Sequence, residues 1–311
     1  MDIKNVETIY PVTPAQAALL AGGAHPAEWV GAAGALACDV RGALDADTLE
    51  AAWARVVGVH AALRSCFLWQ RESQPLQLVL KRLKSEVEWQ DWRGLDRDEQ
   101  ESRRRESLAE LARTHVELTA APLCRLHVAR FGEDEHRLAL SYQHAVCDDA
   151  GARLVLQDVL DAYAAGAAGR EWSPRRANAY GRYLEWLKQQ TAAGAGEYWQ
   201  RSFADFDAPT LLAPDAAADG EASARRASRE LRLPAETTDA LREVAARLQI
   251  DFETLLLGAW ALLLGRYCDA TDVAFGLTVS GPPAGLYEAD VPVAPWQRTL
   301  PVRVRFICRL N

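Results

Sequence analysis

Tyr142-Gln143-His144-Ala145-Val146-Cys147-Asp148-Asp149 closes one kind of periodicity and opens another. Before it, residues 122–131 and 137–143 alternate apolar and polar around the polar turn Gly132-Glu133-Asp134-Glu135, which predicts an antiparallel hairpin. Leu138, Leu140 and Tyr142 then share one face of the second strand. After it, Leu156, Val159, Leu160 and Tyr163 recur at helical spacing. The octet is therefore a loop between a strand and a helix, where a rigid scaffold commonly carries function.

An imidazole at such a position titrates near neutral pH and can act as a general base, so His144 is the candidate reactive group. Asp148, four residues on, could hold the loop by pairing with an arginine. The same residues also have a structural reading. His144 could be a satisfied histidine at a strand end, and Asp148 or Asp149 a helix N-cap. A metal site from His144, Cys147, Asp148 and Asp149 lacks a nearby second histidine and the usual ligand spacing. Spacing alone leaves these alternatives open.

Working outward, Thr13 can cap a helix with Pro14 at its first position. Asp45 or Asp47 opens a second helix, with Leu49, Trp53, Val56 and His60 on one face. Strands are predicted over 64–69 and 76–80, and a polar helix over 96–112. The Ala/Gly-rich piece 164–170 and Trp172-Ser173-Pro174 mark the end of a first unit, residues 1–175. Residues 176–225 are read as a connecting helix, 180–190 and on to Trp199, followed by a linker at 213–224 too poor in apolar residues to pack. The second unit, 226–311, opens with a strand at 228–233 and an amphipathic helix at 237–248. An apolar helix, 252–267, and two alternating strands follow, one carrying Val273, Phe275, Leu277 and Val279, the other spanning 300–310. Helices mixed with antiparallel strands make this an α+β chain of two units.

Composition excludes several classes. A net charge of −8 over 311 residues leaves no basic surplus for nucleic acid. Arg103-Arg104-Arg105 alternates with glutamates and reads as a solvated helix face. The longest apolar run, 255–265, is too short to span a bilayer and reads as a buried core helix of a soluble protein. The six cysteines, 38, 66, 124, 147, 268 and 308, form no CxxC pair, and no secretory leader opens the sequence; a reducing cytoplasm is expected. Walker, dinucleotide, GxSxG and HExxH motifs are absent. His25, His60, His115, His127 and His136 read as structural or exposed, with His127 next in line after His144.

The octet resembles the HHxxxDG motif of nonribosomal peptide synthetase condensation domains, with Gln143, His144, Asp148 and Asp149 at its named positions. Other segments fall in that family's order. Tyr10-Pro11-Val12-Thr13-Pro14-Ala15-Gln16 resembles its opening P-x-T-P-x-Q, and His60-Ala61-Ala62-Leu63-Arg64-Ser65-Cys66-Phe67 its H-x-x-L-R-x-x-F. Ala121-Pro122-Leu123-Cys124-Arg125 resembles A-P-L-x-R, Tyr198-Trp199 the Y-W after the linker helix, and Thr299-Leu300-Pro301 part of N-T-L-P. Residues 257–264 and 272–281 resemble the second unit's core helix and strand.

The resemblance implies two chloramphenicol-acetyltransferase-like lobes in a V, with the motif in a tunnel between them. A donor acyl thioester and an acceptor amine would arrive there, each on the 4'-phosphopantetheine arm of a carrier protein, with no cofactor bound by the domain itself. His144 would position or deprotonate the acceptor amine, or steady the tetrahedral intermediate. Asp148 would pair with Arg64 and hold the loop. Ser280, Arg298 and Thr299 would line the tunnel. Carrier proteins, adjacent synthetase domains and a tailoring enzyme are the implied partners, with no nucleic acid and no membrane.

The chain departs from the pattern at Gln143 for His, Asp149 for Gly, Pro282 for Arg and Arg298 for Asn, and reads differently over 291–296. An ionised Asp149 close to His144 would raise the imidazole pKa and make it a poorer base at neutral pH. The family's second lobe also continues past the position of Asn311, so a fragment or a shortened, incomplete second lobe is expected. Two readings follow: an acyltransferase forming an amide or ester through His144, with either a carrier-bound or a free acceptor, or a condensation-like module that docks a carrier or a tailoring enzyme without forming bonds.

Overall fold

The computed structural model describes residues 3–22, 33–68, 75–114, 116–174, 179–190, 193–207, 209–211, 230–281 and 292–307. Contacts divide the chain into two compact units. Met1–Gln190 with Val279–Arg298 form the first, and Thr191–Thr278 with Thr299–Asn311 the second. The break thus falls at 190, not at 175, and residues 279–298, read above as part of the second unit, pack with the first.

In the first unit, β1 (Val6–Pro11), β4 (Leu76–Leu80) and β3 (Ser65–Leu68) form an antiparallel sheet in the order β1-β4-β3. A second sheet, β2-β7-β6-β5, joins β2 (Ala33–Arg41), β7 (Glu135–Gln143), β6 (Cys124–Arg130) and β5 (Glu88–Asp91). The predicted hairpin is β6–β7, whose antiparallel pairing runs from Cys124↔Tyr142 to Arg130↔His136. Strand β2, which the sequence reading missed, lies antiparallel along the whole of β7, and β5 is parallel to β6.

Helix α1 (Pro14–Gly22) begins at a reciprocal cap. Gln16 N–H donates to Thr13 Oγ1 at 3.2 Å, and Thr13 N–H to Gln16 Oε1 at 2.9 Å. Helix α2 (Ala46–Val59) starts at Asp45, whose carboxylate accepts from Thr48 N–H, so Asp45 rather than Asp47 is the cap. Helix α3 (Arg97–Leu111) is polar and exposed, with a capping box between Asp96 and Glu99. Helix α4 (Asp149–Ala167) packs on α2. The core gathers Leu49, Trp53 and Val56 of α2, Leu126 and Val128 of β6, Leu138 and Leu140 of β7, and Val155 and Val159 of α4, each closed to solvent. Helix α5 (Ala179–Gln189) adds Tyr180 and Leu184 to a smaller cluster with Ala294 and Trp296.

The second unit contains α6 (Ala193–Phe203), α7 (Ala235–Leu248), α8 (Phe252–Cys268) and, but for the end residues Val279 and Arg298, the paired strands β8 (Asp272–Val279) and β9 (Arg298–Arg305). Arg303 ties it together, reaching Asp272, Asp205 and the Ser202 carbonyl from one guanidinium. Two expectations fail in this unit. Helix α8 is not a buried core helix: Ala261 and Leu264 are enclosed, but Leu256, Trp260, Leu262, Leu263 and Tyr267 are exposed. A helix apolar on every side needs partners on every side, and here the two-strand sheet covers one. The strand expected at 228–233 is also absent over its described part, 230–233, where Leu231 and Leu233 are exposed.

Among the described residues no single helix is long and apolar enough to cross a membrane. The linker at 213–224, Pro282, Val291, Trp69, His25, His115, Cys308 and Asn311 lie outside the described residues.

Candidate active site

Strand β7 delivers the octet to the centre of the first unit. Gln143 N–H donates to the Leu123 carbonyl at 3.0 Å, and the Gln143 carbonyl accepts from Val146 and Cys147, so the chain turns immediately after the strand. Ala145, Val146 and Cys147 are buried, while His144 is partly exposed, which leaves the imidazole as the turn's accessible side chain.

Asp148 fixes the far end of the turn, and the pairing expected for it does not occur. It is the N-cap of α4, with Oδ1 accepting from Gly151 N–H at 2.9 Å. Its Oδ2 accepts from Ser280 Oγ at 2.9 Å and from Trp296 N–H at 3.1 Å. Arg64 is instead paired with Glu7 at 2.5 Å and donates from Nε to the Val57 carbonyl at 3.1 Å and from Nη1 to the Leu80 carbonyl. The guanidinium is held to two carbonyls and a carboxylate on the β1-β4-β3 side, and Asp148 is not among its partners. The buried Asp148 carboxylate is satisfied by a backbone amide, a hydroxyl and a helix N-terminus.

Above the turn, the Gln16 side chain donates from Nε2 to the Ala145 carbonyl at 3.0 Å and to Gln77 Oε1 at 2.9 Å. Gln77 Oε1 also accepts from Tyr180 O–H at 2.6 Å, and its Nε2 donates to Ser65 Oγ at 2.7 Å, whose hydroxyl donates to the Ala61 carbonyl. This buried chain links α1, β4, α5 and the His144 turn. The Thr-x-x-Gln spacing, with a glutamine set among alanines and leucines, was its sequence signal.

The Tyr142 ring meets the His144 ring edge-on, with centroids 5.6 Å apart, and its O–H donates to Asp149 Oδ1. A Cβ on Gly34, the register partner of Tyr142 on β2, would come within 2.6 Å of that ring, so glycine is required for the tyrosine to lie there. Asp149 is thus the first residue of α4 and not its cap, and it is exposed.

Burial lowers the His144 pKa from its ordinary value, opposed by the charges of Asp149 and Asp148 and by a backbone interaction at Cys147. Asp149 does pull in the expected direction, but burial outweighs it and favours the neutral imidazole. Among the described residues its buried Nδ1 has no hydrogen-bond partner. Burial holds the Tyr142 phenol protonated, so it remains a donor to Asp149. The Cys147 thiol is raised well above its usual value, again by burial, and is no nucleophile at neutral pH.

The remaining candidates separate. Ser280 belongs to the turn through Asp148, and Arg298, also in the first unit, donates to the Gly281 carbonyl at 3.3 Å. Thr299 lies in the second unit, 3.1 Å from Thr278 Oγ1. His127 is held at both nitrogens, by Ser141 at 2.8 Å and Glu88 at 3.1 Å, and His60 binds Asp158 at 2.7 Å. Among the described residues no three His, Cys, Asp or Glu side chains are placed to hold a metal ion.

His144 thus stands on a turn clamped at both ends, in an α+β scaffold. The chain belongs to the condensation domain family, whose sequence profile it matches over residues 6–305, and it is a condensation domain of the nonribosomal peptide synthetase kind. It is 35% identical over 303 residues to a linear gramicidin synthase polypeptide of Brevibacillus parabrevis, covering 97% of this chain and 4% of that protein. It is 33% identical over 270 residues to chondramide synthase cmdD of Chondromyces crocatus, covering 85% of this chain and 7% of that one. Among solved structures, the X-domain from teicoplanin biosynthesis superposes with a TM-score of 0.78 at 25% identity, over 95% of this chain and 65% of that one. The first condensation domain of the calcium-dependent antibiotic synthetase shares the fold, with a TM-score of 0.74 at 19% identity, over 96% of this chain and 70% of that one. The chain therefore spans a small fraction of the curated synthases it matches and about two thirds of the solved domains.

Proposed function

We propose that this chain acts within a larger synthetase to join a carrier-bound acyl thioester to an amine, forming an amide through His144. The observation that carries this is the placement of the imidazole, partly buried with its pKa lowered by that burial, on a turn held by Gln16 on one side and by the Asp148 cap on the other. A neutral imidazole can accept a proton that the amine acceptor must lose. Carrier proteins with 4'-phosphopantetheine arms are the partners this chemistry needs, and the cytoplasm, where such free thiols persist, its setting. The V-shaped pairing of two lobes belongs to the same inference and rests on the family resemblance. Ser280, Arg298 and Thr299 are carried with it as residues along the substrate path.

A second reading is favoured by one comparison. A solved relative at 26% identity and a TM-score of 0.76 is described as a complex of the X-domain and OxyB from teicoplanin biosynthesis. On that reading this chain docks a tailoring enzyme and forms no bond. Incubation with an acyl-loaded and an aminoacyl-loaded carrier protein separates the two. Amide product by mass spectrometry supports the transferase; no product, with a partner enzyme still retained by the chain, supports the docking module.

A further inference from the structure

Asp149 stands at the first position of α4 with an exposed carboxylate whose direction is nevertheless fixed. Tyr142 O–H holds Oδ1, and the Tyr142 ring is itself fixed between the His144 ring and the glycine at position 34. Among the described residues Oδ2 takes no hydrogen bond. A negative charge at a helix N-terminus is favourable on its own, and any freely rotating acid would supply it. What that role does not explain is a carboxylate oriented by a buried phenol, one hydrogen bond and one ring contact from the imidazole.

An α-amine has a pKa near 8, so at neutral pH it arrives mostly as an ammonium. It must be held beside the base while it loses a proton, and a half-engaged carboxylate is the group that holds an ammonium. We propose that Asp149 binds the α-ammonium of the acceptor and presents it to His144, making this chain selective for amine over hydroxyl acceptors. The proposal rests on the acceptor being an amine, as in the reading above. The ammonium gives one proton to His144 Nε2, which passes it to water. The amine lone pair attacks the acyl carbon. The C–S bond then breaks with its electron pair on sulfur, and the second N–H proton ends on the thiolate, leaving an amide and a thiol. Of the titratable groups beside Asp149, Asp148 is committed to the helix cap, and burial keeps Cys147 and Tyr142 protonated.

The test is equilibrium binding to the full chain of an aminoacyl-pantetheine amide and of its α-hydroxy analogue. Wild type is expected to prefer the ammonium ligand roughly fivefold, as a partly exposed ion pair allows. Asp149→Asn should abolish the preference without weakening the hydroxy ligand, and Asp149→Glu should retain part of it. Loss of both ligands alike in Asp149→Asn would mean a structural role, and equal affinity for the two ligands in wild type would equally overturn the proposal, as would binding of neither. Because no bond need form, a wild-type chain that prefers the ammonium but makes no amide would defeat the transferase reading while leaving Asp149 as an ammonium-binding residue.

Discussion

Gln16 donates from Nε2 to the Ala145 carbonyl at 3.0 Å, joining residues 129 positions apart and tying helix α1 to the turn that carries His144. Gln16 is fully buried, and its amide also serves Gln77 and the Thr13 backbone, so no water stands ready to replace it.

Gln16→Leu should therefore do two things. It strands the Ala145 carbonyl, which costs about 2 kcal/mol of stability, read as a lower urea midpoint at unchanged slope. It also frees the turn, so turnover should fall further than the stability loss explains at temperatures where the protein is fully folded. Normal turnover in folded Gln16→Leu would show that the turn needs no such tie.

Asp148 and Arg64 offer a thermodynamic check on the corrected pairing. With no shared partner, a double-mutant cycle of Asp148→Asn and Arg64→Met should be additive within about 0.5 kcal/mol. The cycle of Asp148→Asn with Ser280→Ala should show coupling of about 1 kcal/mol, since those side chains share a hydrogen bond to a buried carboxylate. Coupling to Arg64 larger than to Ser280 would contradict the structure.

Sequence distance explains why the Asp148 pairing was not legible. The hairpin β6–β7, the start of a helix at Asp45 or Asp47, the polar helix over 96–112 and the helix after the octet were legible because each is decided within a few residues, by alternation, a capping carboxylate or helical spacing. Asp148 as a cap was equally local. Its other partners, Ser280 and Trp296, lie 132 and 148 positions away, and nothing local to Asp148 distinguishes them from an arginine. Helix α8 failed for a related reason, since an apolar composition states what a helix would bury, not whether a partner covers it. Gly34 did carry a signal, because a lone glycine in a strand often marks a close approach, but the alanine-rich strand β2 around it shows no clear alternation.

Gly34→Ala should displace the Tyr142 ring, with a Cβ otherwise 2.6 Å away, and destabilise the protein by about 1–3 kcal/mol. Combining it with Tyr142→Ala should recover part of that loss, because the second change removes the clash. No recovery would place the strain elsewhere.

Three histidines contribute to the loss of stability just below neutral pH, above the range where the lowered aspartates titrate. His127, His136 and His144 are all lowered from the ordinary value, chiefly by burial. The unfolded chain then binds more protons than the folded one between the folded values and about 6.5. Stability should be full above that pH and decline as pH falls through the folded values. Chemical denaturation between pH 5 and 8 checks this, and His144→Gln should make the decline shallower. A stability that rises on acidification across this window would contradict the burial assigned to these rings.

The central claim concerns His144. The most direct measurement is single-turnover amide formation from acyl-loaded and aminoacyl-loaded carrier proteins, with carrier binding followed in parallel, in wild type and His144→Ala. A loss of at least about a hundredfold in rate, the scale of general-base catalysis, with carrier binding unchanged, is the predicted result. Equal rates in the two proteins, or no amide from wild type while carriers still bind, would contradict it.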